Sequence, residues 1–352
     1  MPRKAEKQKY LYETLRDSIL DGKYRCGERF PKEVEFALSW GVSRKTLRAA
    51  LKRLEEEKLI ERLKSKGTFV RYRQILVWID NNKDPHMPSN YIIPGLLRAA
   101  ERRGFSVSIC SCSELDGLEE EEISRSFSER NVSGCIVVTN RINEETGIWQ
   151  KLRRQKLPIV LAHAHPMDHV FTGWPCVAFD EKDAWKTALR FLRNLGIRRL
   201  AVGWPEYMPQ QIRGWEKSEF KDLLEQIGFD PEEVSYFMAD TPGLRADQSL
   251  DALLEKPLRP EAVLCFSDFW APAVYRAIRN RKLRIPEEIR VMGFCGAPIG
   301  RYLSPQLSTV DLQYERIGEI AVRMLVGEIR EPLYFIGHKI VERESSGTRK
   351  GE

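Results

Sequence analysis

No apolar run in the 352 residues approaches the ~20 that a membrane-crossing helix needs. The first ten residues, "MPRKAEKQKY", are charged and lead into no apolar signal segment. A cytoplasmic protein with no membrane partner is therefore expected. Seven cysteines, an odd and scattered set, argue for a reducing compartment and against a disulfide framework. Internal repeats and low-complexity tracts are absent. So are a phosphate loop, a glycine-rich dinucleotide turn and a serine nucleophile elbow, and no cofactor is expected.

What is present suits a globular chain of about two to three domains, 42% hydrophobic and 31% charged. The net charge of +6 hides an asymmetry. Residues 1–73 hold 20 lysines and arginines against 11 acids, while the remainder holds 37 against 40. A basic head on a mildly acidic body points to a polyanion that meets only the head.

The stretch "GVSRKTLRAALKRLEE" (Gly41 to Glu56) carries that head's chemistry. As a helix it puts Leu47, Ala50, Leu51 and Leu54 on one face, the spacing of a buried stripe. Arg44, Arg48 and Lys52 form a second stripe with Lys45 beside it. A merely solvated face usually mixes signs, and this one has almost no acid before Glu55. Upstream, a first helix runs to about Leu20 and stops at Gly22. Pro31 suits the first turn of a second, "PKEVEFALSW". Gly41 breaks that helix, and Ser43 caps the third. Phe36, Ala37, Trp40, Val42, Leu47 and Ala50 supply a compact core. Helix, tight turn, helix is the pattern of a helix-turn-helix, whose second helix enters the DNA major groove. Two short β-favouring runs, "LIERL" and "TFV", then flank "KSKG", the basic tip of a wing. Arg44 and Arg48 are the candidates for base edges. Lys45, Thr46 and Lys52 are the candidates for phosphate, with Lys32, Ser43, Lys64, Lys66 and Gly67 completing the surface.

The stretches "ILDGKYRCGERFPKE", "GVSRKTLRAALKRLEEEKLI" and "KGTFV" together resemble the winged helix of the gluconate-repressor (GntR) family, over about residues 8–72. The family usually has Leu-Pro-Ser-Glu where this chain has Phe30-Pro31-Lys32-Glu33, which adds a cation near the backbone. The DNA-binding domain is assigned to 1–72.

From Gln74 onward the pattern changes. Apolar strands ("ILVWID", "FSVSICS", "GCIVVTN", "LPIVLAHA", "RRLAVGW", "EVSYFMA", "AVLCFSD", "IRVMGF") alternate with helical stretches such as "EKDAWKTALRFLRNLG" and "APAVYRAIRNRK". That alternation argues a doubly wound parallel sheet, and there are too many units for one small sheet. The expected fold is α/β: a two-lobed, doubly wound parallel-sheet effector domain behind an N-terminal winged helix-turn-helix. Ligands of such sheets bind beyond the carboxyl ends of the strands.

Three stretches, "FDEKDAWKTALRFLRNLGIRRLAV", "RPEAVLCFSDFWAPAVYRAIRNRKLRIPEEIRVMGF" and "LSPQLSTVDLQYERIGEIAVRMLVGEI", resemble the effector-binding core of the lactose/galactose-repressor (LacI/GalR) family, a type 1 periplasmic-binding-protein fold. A GntR head on such a body is the architecture of arabinose-repressor-like regulators. The effector and dimerisation domain is then 74–352. Its first lobe covers about 74–178 and 312–331, and its second about 179–311 and 332–345.

The departures from the family pattern mark the expected effector site. Ser267-Asp268 stands where Asn-Asp is frequent, and Gly293-Phe294-Cys295-Gly296 replaces Gly-Phe-Asp-Asp. Glu216, with Arg213 nearby, takes the place of an arginine, and Asp311 or Leu312 that of a glutamine or lysine. Asp80, Asn81 and His163 at strand ends complete the set, with Trp204, like Trp78, offered as a stacking face. A sugar or polyol is the expected effector because acids and amides pair with hydroxyls; a cationic ligand is the competitor.

Two signals pull elsewhere. His163, His165 and His169 in "HAHPMDH" have spacing open to a metal, the basis of an alternative in which the body is a metal-dependent hydrolase. The plainer reading has His163 lining the ligand site and assigns no metal. Cys110 and Cys112 form a pair without a second pair, a weak zinc pattern. The chain thus reads as a non-enzymatic, homodimeric repressor that binds double-stranded operator DNA under a small-molecule effector. Only Arg71 to Gln74 separate wing from body, at most ~14 Å when extended, so head spacing is expected to follow the bodies through a short tether.

Overall fold

The structure, a computed structural model, describes residues 4–20, 23–24, 27–71, 73–79, 87–139, 142–206, 210–212, 215–240 and 245–347. The head holds α1 (Lys4–Leu20), α2 (Glu33–Ser39) and α3 (Arg44–Glu56). The leucine stripe of α3 packs on Leu11, Leu15 and Ile19 of α1 and on Phe36 and Ala37 of α2, all buried. Pro31 lies outside α2, which begins two residues later with Lys32 at its N-cap position. Gly41 makes the tight turn with φ +58°. The wing is β1 (Ile60–Leu63) paired antiparallel with β2 (Gly67–Val70). A third segment edges it: the Phe30 N–H donates to the Thr68 carbonyl (2.8 Å) and the Val70 N–H to that of Glu28 (2.9 Å).

The chain divides into two compact units, Met1–Ala178 with Glu315–Tyr334, and Phe179–Tyr314 with Phe335–Glu352. The head clusters with the first. That unit's elements are β3 (Arg73–Ile79), α4 (Ser89–Glu101), β4 (Phe105–Ser111), α5 (Glu120–Glu129), β5 (Val132–Val138), α6 (Gly147–Leu152), β6 (Ile159–Ala164), α7 (Pro166–Thr172) and β7 (Cys176–Phe179). β3 to β7 pair in parallel. The central residues of β3, β5, β6 and β7 are buried on both faces, which is why they read as apolar runs, while the edge strand β4 is half-buried and alternates with serine. The sequence pattern does not announce α5 and α7: α5 is rich in acid and buries only Ile123 and Phe127.

The second unit contains α8 (Glu181–Asn194), β8 (Leu200–Pro205), the short hairpin of β9 (Gln211–Ile212) and β10 (Trp215–Glu216), α9 (Lys217–Ile227), β11 (Val234–Ala239), α10 (Ala246–Leu254), β12 (Ala262–Leu264), α11 (Ala271–Asn280), β13 (Arg290–Cys295) and β14 (Ser308–Asp311). The chain continues through α12 (Tyr314–Leu325), β15 (Leu333–Ile336) and β16 (Lys339–Val341). The sheet orders are β15-β7-β6-β5-β3-β4 and β11-β8-β12-β13-β14-β16. In the latter only β16 runs antiparallel, against β14.

α4 and α12 cross backbone to backbone at two glycines. A Cβ on Gly95 would lie 1.8 Å from the Glu315 carbonyl oxygen, and one on Gly318 2.3 Å from that of Ile92. No helix among the described residues is long and apolar enough to cross a membrane.

Candidate functional site

The candidate DNA-facing surface starts from one cap. Ser43 is extended, and its Oγ accepts the Thr46 N–H at 3.1 Å, which fixes where α3 begins. The first turn of α3 carries no acid, so Arg44 and Lys45 add to the positive end of the helix dipole. Arg44, Lys45, Arg48 and Lys52 are all exposed. Arg48 Nε donates to a Glu33 carboxylate oxygen at 2.6 Å, and Lys52 pairs with Glu56 at 3.6 Å. Thr46 is corrected: it is buried, and its hydroxyl lies 2.8 Å from that of Ser43, so it holds the cap rather than a phosphate.

At the wing tip Ser65 has φ 67° and Gly67 φ +121°, the latter a conformation suited to glycine. A Cβ there would also lie 2.7 Å from Arg29 Nε. This turn presents Lys64 and Lys66 outward, and Lys32 is exposed at the start of α2. Lys66→Ala is expected to weaken binding to all duplexes alike and to reduce the salt slope by about one counterion. A titration series over salt concentration checks it; a loss confined to one sequence would contradict a phosphate role.

In the second unit the parallel strands bring their carboxyl ends to one edge of the sheet, and this unit holds Trp204, Glu216, Ser267, Asp268, Cys295 and Asp311 of the expected effector set, with different roles. Asp268 is fully buried. Its carboxylate accepts the Ala297 N–H (2.5 Å) and the Thr309 hydroxyl (2.7 Å). A Cβ on Gly293 would lie only 2.0 Å from it. Burial pushes its carboxyl up to about 7, against the pull of the Thr309 hydrogen bond. As a direct effector ligand Asp268 is therefore corrected: the carboxylate is spent on pinning the loop after β13. Trp204 is corrected likewise. It is buried in β8, all six residues of which are buried, and its ring meets Phe220 and Tyr236 edge-on. Trp78 is also core, its Nε1 donating to the Cys135 sulfur.

The remaining positions are nearer the surface. Ser267 caps the turn after β12 by accepting the Phe269 N–H at 3.3 Å. Glu216 and Glu219 form a reciprocal cap at the start of α9. Asp311 is held by the Gln313 N–H (2.8 Å) and by Lys339 (3.6 Å). Cys295 ends β13 with φ 108°. In the first unit, His163 near the carboxyl end of β6 has φ 62° beside a register shift. Two non-glycine residues in the left-handed region, each at a strand's carboxyl end, are the kind of local strain found at binding sites. Asp80, Asn81 and Arg213 lie outside the described residues.

One residue was missed. Asp240 follows β11 at the same edge, and its Oδ1 is buried without a hydrogen-bond partner among the described residues. The visible signal was an acid directly after "SYFMA". The metal reading finds no support. His165 Nδ1 accepts the Met167 N–H (3.2 Å) at the start of α7, and His169 Nδ1 contacts the Trp174 carbonyl (2.8 Å). No three histidine, cysteine or acidic side chains converge as metal ligands among the described residues.

Residues 7–70 match the model of bacterial regulatory proteins of the gntR family, and residues 189–346 that of a periplasmic binding protein-like domain. The chain is thus similar to a gntR-type head followed by a periplasmic binding protein-like body. Curated relatives over most of its length carry the names of transcriptional regulators. The arabinose metabolism transcriptional repressor of Geobacillus stearothermophilus is 24% identical over 328 residues, 89% of this chain and 88% of the relative. The ribose operon repressor of Halalkalibacterium halodurans is 26% identical and covers 75% of this chain and 78% of its own length. Among solved structures, a LacI family regulator from Enterococcus faecium with bound ribose superposes with a TM-score of 0.60 at 19% identity, over 78% of this chain and 98% of that one. At that identity the likeness speaks for the fold alone.

Proposed function

We propose that the protein is a DNA-binding repressor of a carbohydrate-utilisation operon, that it releases its operator on binding a small sugar or polyol, and that it works as a cytoplasmic homodimer without enzymatic activity. The observation that carries this reading is the pairing of an exposed cationic recognition helix with strand ends that gather acids and hydroxyls. Ser267, Cys295 and Asp311 are the proposed effector contacts of the second unit, with Asp240 added and Asp268 as a positioning residue; His163 is the effector contact proposed in the first unit. The names of the arabinose and ribose repressors support the sugar class. Glu216 and Lys339 leave room for charge selection at the rim of the site.

A thermal-shift screen against pentoses, hexoses, uronates, polyols and amines tests it. A true effector at ~100 times its dissociation constant should add about 2.7 kcal/mol of stability. The same compound should release the operator. Stabilisation by an amine and by no sugar would overturn the sugar assignment.

A further inference from the structure

The head is joined to the body by more than the chain. β2 ends at Val70 and β3 begins at Arg73, so the join is two residues rather than the four expected. Beside it, two turns meet. One follows α3, the recognition helix, where Lys58 has φ 58°; the other lies between α5 and β5, where Asn131 has φ 54°. Asn131 Nδ2 donates to the Lys58 carbonyl at 3.2 Å. Lys58 Nζ donates to Ser128 Oγ at 3.1 Å. Arg71 donates through its guanidinium to the Glu129 carbonyl at 3.1 Å, and its N–H donates to the Leu59 carbonyl at 2.8 Å. Asn131 is in turn tied into the sheet, its carbonyl accepting the Gln74 N–H at 3.1 Å. The carboxyl-terminal end of the recognition helix is thus braced on the first lobe by groups that the lobe itself holds still.

The contact is local. At the end of α1, Arg73 reaches the Leu20 carbonyl at 3.4 Å and stacks on Phe105 at 4.1 Å. A cavity of about 310 Å³ opens there, lined by Leu20, Phe105, Arg103, Leu325 and Glu328 among others. The side-chain bonds across this join are polar and few, the character of an interface that holds a pose and can be released.

We propose that these two turns form a latch that makes the head and the first lobe move as one body, so that the effector signal reaches DNA through this contact and not through tension in the two-residue join. The proposal rests on the regulator reading above and deepens it. A rigid latch fixes the direction in which each recognition helix points. Two latched heads of a dimer then accept one half-site separation, whereas unlatched heads swivel to meet others.

The test uses the full chain and a duplex with two half-sites, selected by the wild-type protein from a random pool. Its affinity is compared with that for the same duplex carrying five extra base pairs between the half-sites, about half a helical turn. The variant combines Asn131→Gly, which keeps the left-handed backbone, with Ser128→Ala and Arg71→Ala. The readout is the ratio of the two affinities, from which any direct pairing of Arg71 with phosphate cancels. Wild type is expected to prefer the native spacing by at least about tenfold, and the variant by less than about threefold. Asn131→Gly alone should fall between them, which guards against misfolding of the triple variant. A variant ratio equal to that of wild type would overturn the latch, as would a wild type that tolerates both spacings. Failure of the wild type to select any duplex would instead overturn the DNA-binding reading, so the two failures are distinct.

Discussion

Arg48→Ala is expected to weaken operator binding by about 1–3 kcal/mol and to relax the preference at one base pair. The side chain stands on the second turn of α3, exposed, behind the cap that Ser43 sets. A guanidinium fork matches the two acceptors on the major-groove edge of guanine, which a lysine cannot do. In the free protein the fork leans on Glu33. An exposed pair of this kind contributes only about 0–1 kcal/mol, so exchanging it for a base costs little. It also keeps the fork out of random rotamers before DNA arrives. The measurement is a set of titrations against the selected duplex, its single-base-pair variants and a random duplex. Equal losses on selected and random DNA would mean that Arg48 touches only phosphate.

The amphipathic stripes of α3 were legible because a helix repeats every 3.6 residues and chemistry sorts by face. Ser43 was legible because a hydroxyl just before such a stripe has one common use. Thr46 was misassigned for the same reason that Ser43 was not. Residues near the amino end of a capped helix turn back toward the cap, and spacing alone does not say so. The alternation of strands and helices in the body was plain, yet the side chains at the strand ends were not. Periodicity places Trp204 and Asp268 at the carboxyl edge of a sheet, but their direction depends on what the next loop covers. β8 is buried on both faces, so Trp204 goes inward. Gly293 leaves just enough room for the Asp268 carboxylate, a fit set by residues 25 positions away. The Arg48–Glu33 pair and the Lys58–Asn131 contact join residues far apart in sequence, which no local pattern records.

Asp268→Asn is expected to leave the fold intact and to remove a pH dependence that the native chain carries. The buried carboxyl titrates at about 7, well above the ordinary value near 4, because desolvation disfavours the charged form. A folded-state value raised for an acid means that the folded chain holds the proton more tightly than the unfolded one. Between about pH 4 and pH 7 stability therefore falls as pH rises, and above pH 7 the full cost of the buried charge is present. At about 1.4 kcal/mol per unit, that cost is on the order of 4 kcal/mol. The asparagine carries no charge. Its oxygen accepts the Ala297 N–H, and its amide donates to Thr309 Oγ1, whose own proton has the Val310 carbonyl 3.3 Å away. Urea denaturation at pH 4.5, 6 and 8 should show the variant gaining on wild type with each step upward. A constant difference across that range would mean that no shifted titration resides at Asp268. Asp268→Ala behaves differently, because the Ala297 N–H loses its acceptor in a buried place, at about 1–3 kcal/mol, while the Thr309 hydroxyl is left with the Val310 carbonyl. That variant is expected to be destabilised at pH 4.5, where the wild-type carboxyl is protonated and carries no charge cost to relieve. Since the loop it releases carries Cys295 and Gly296, it should also lose the response to effector that the asparagine variant keeps.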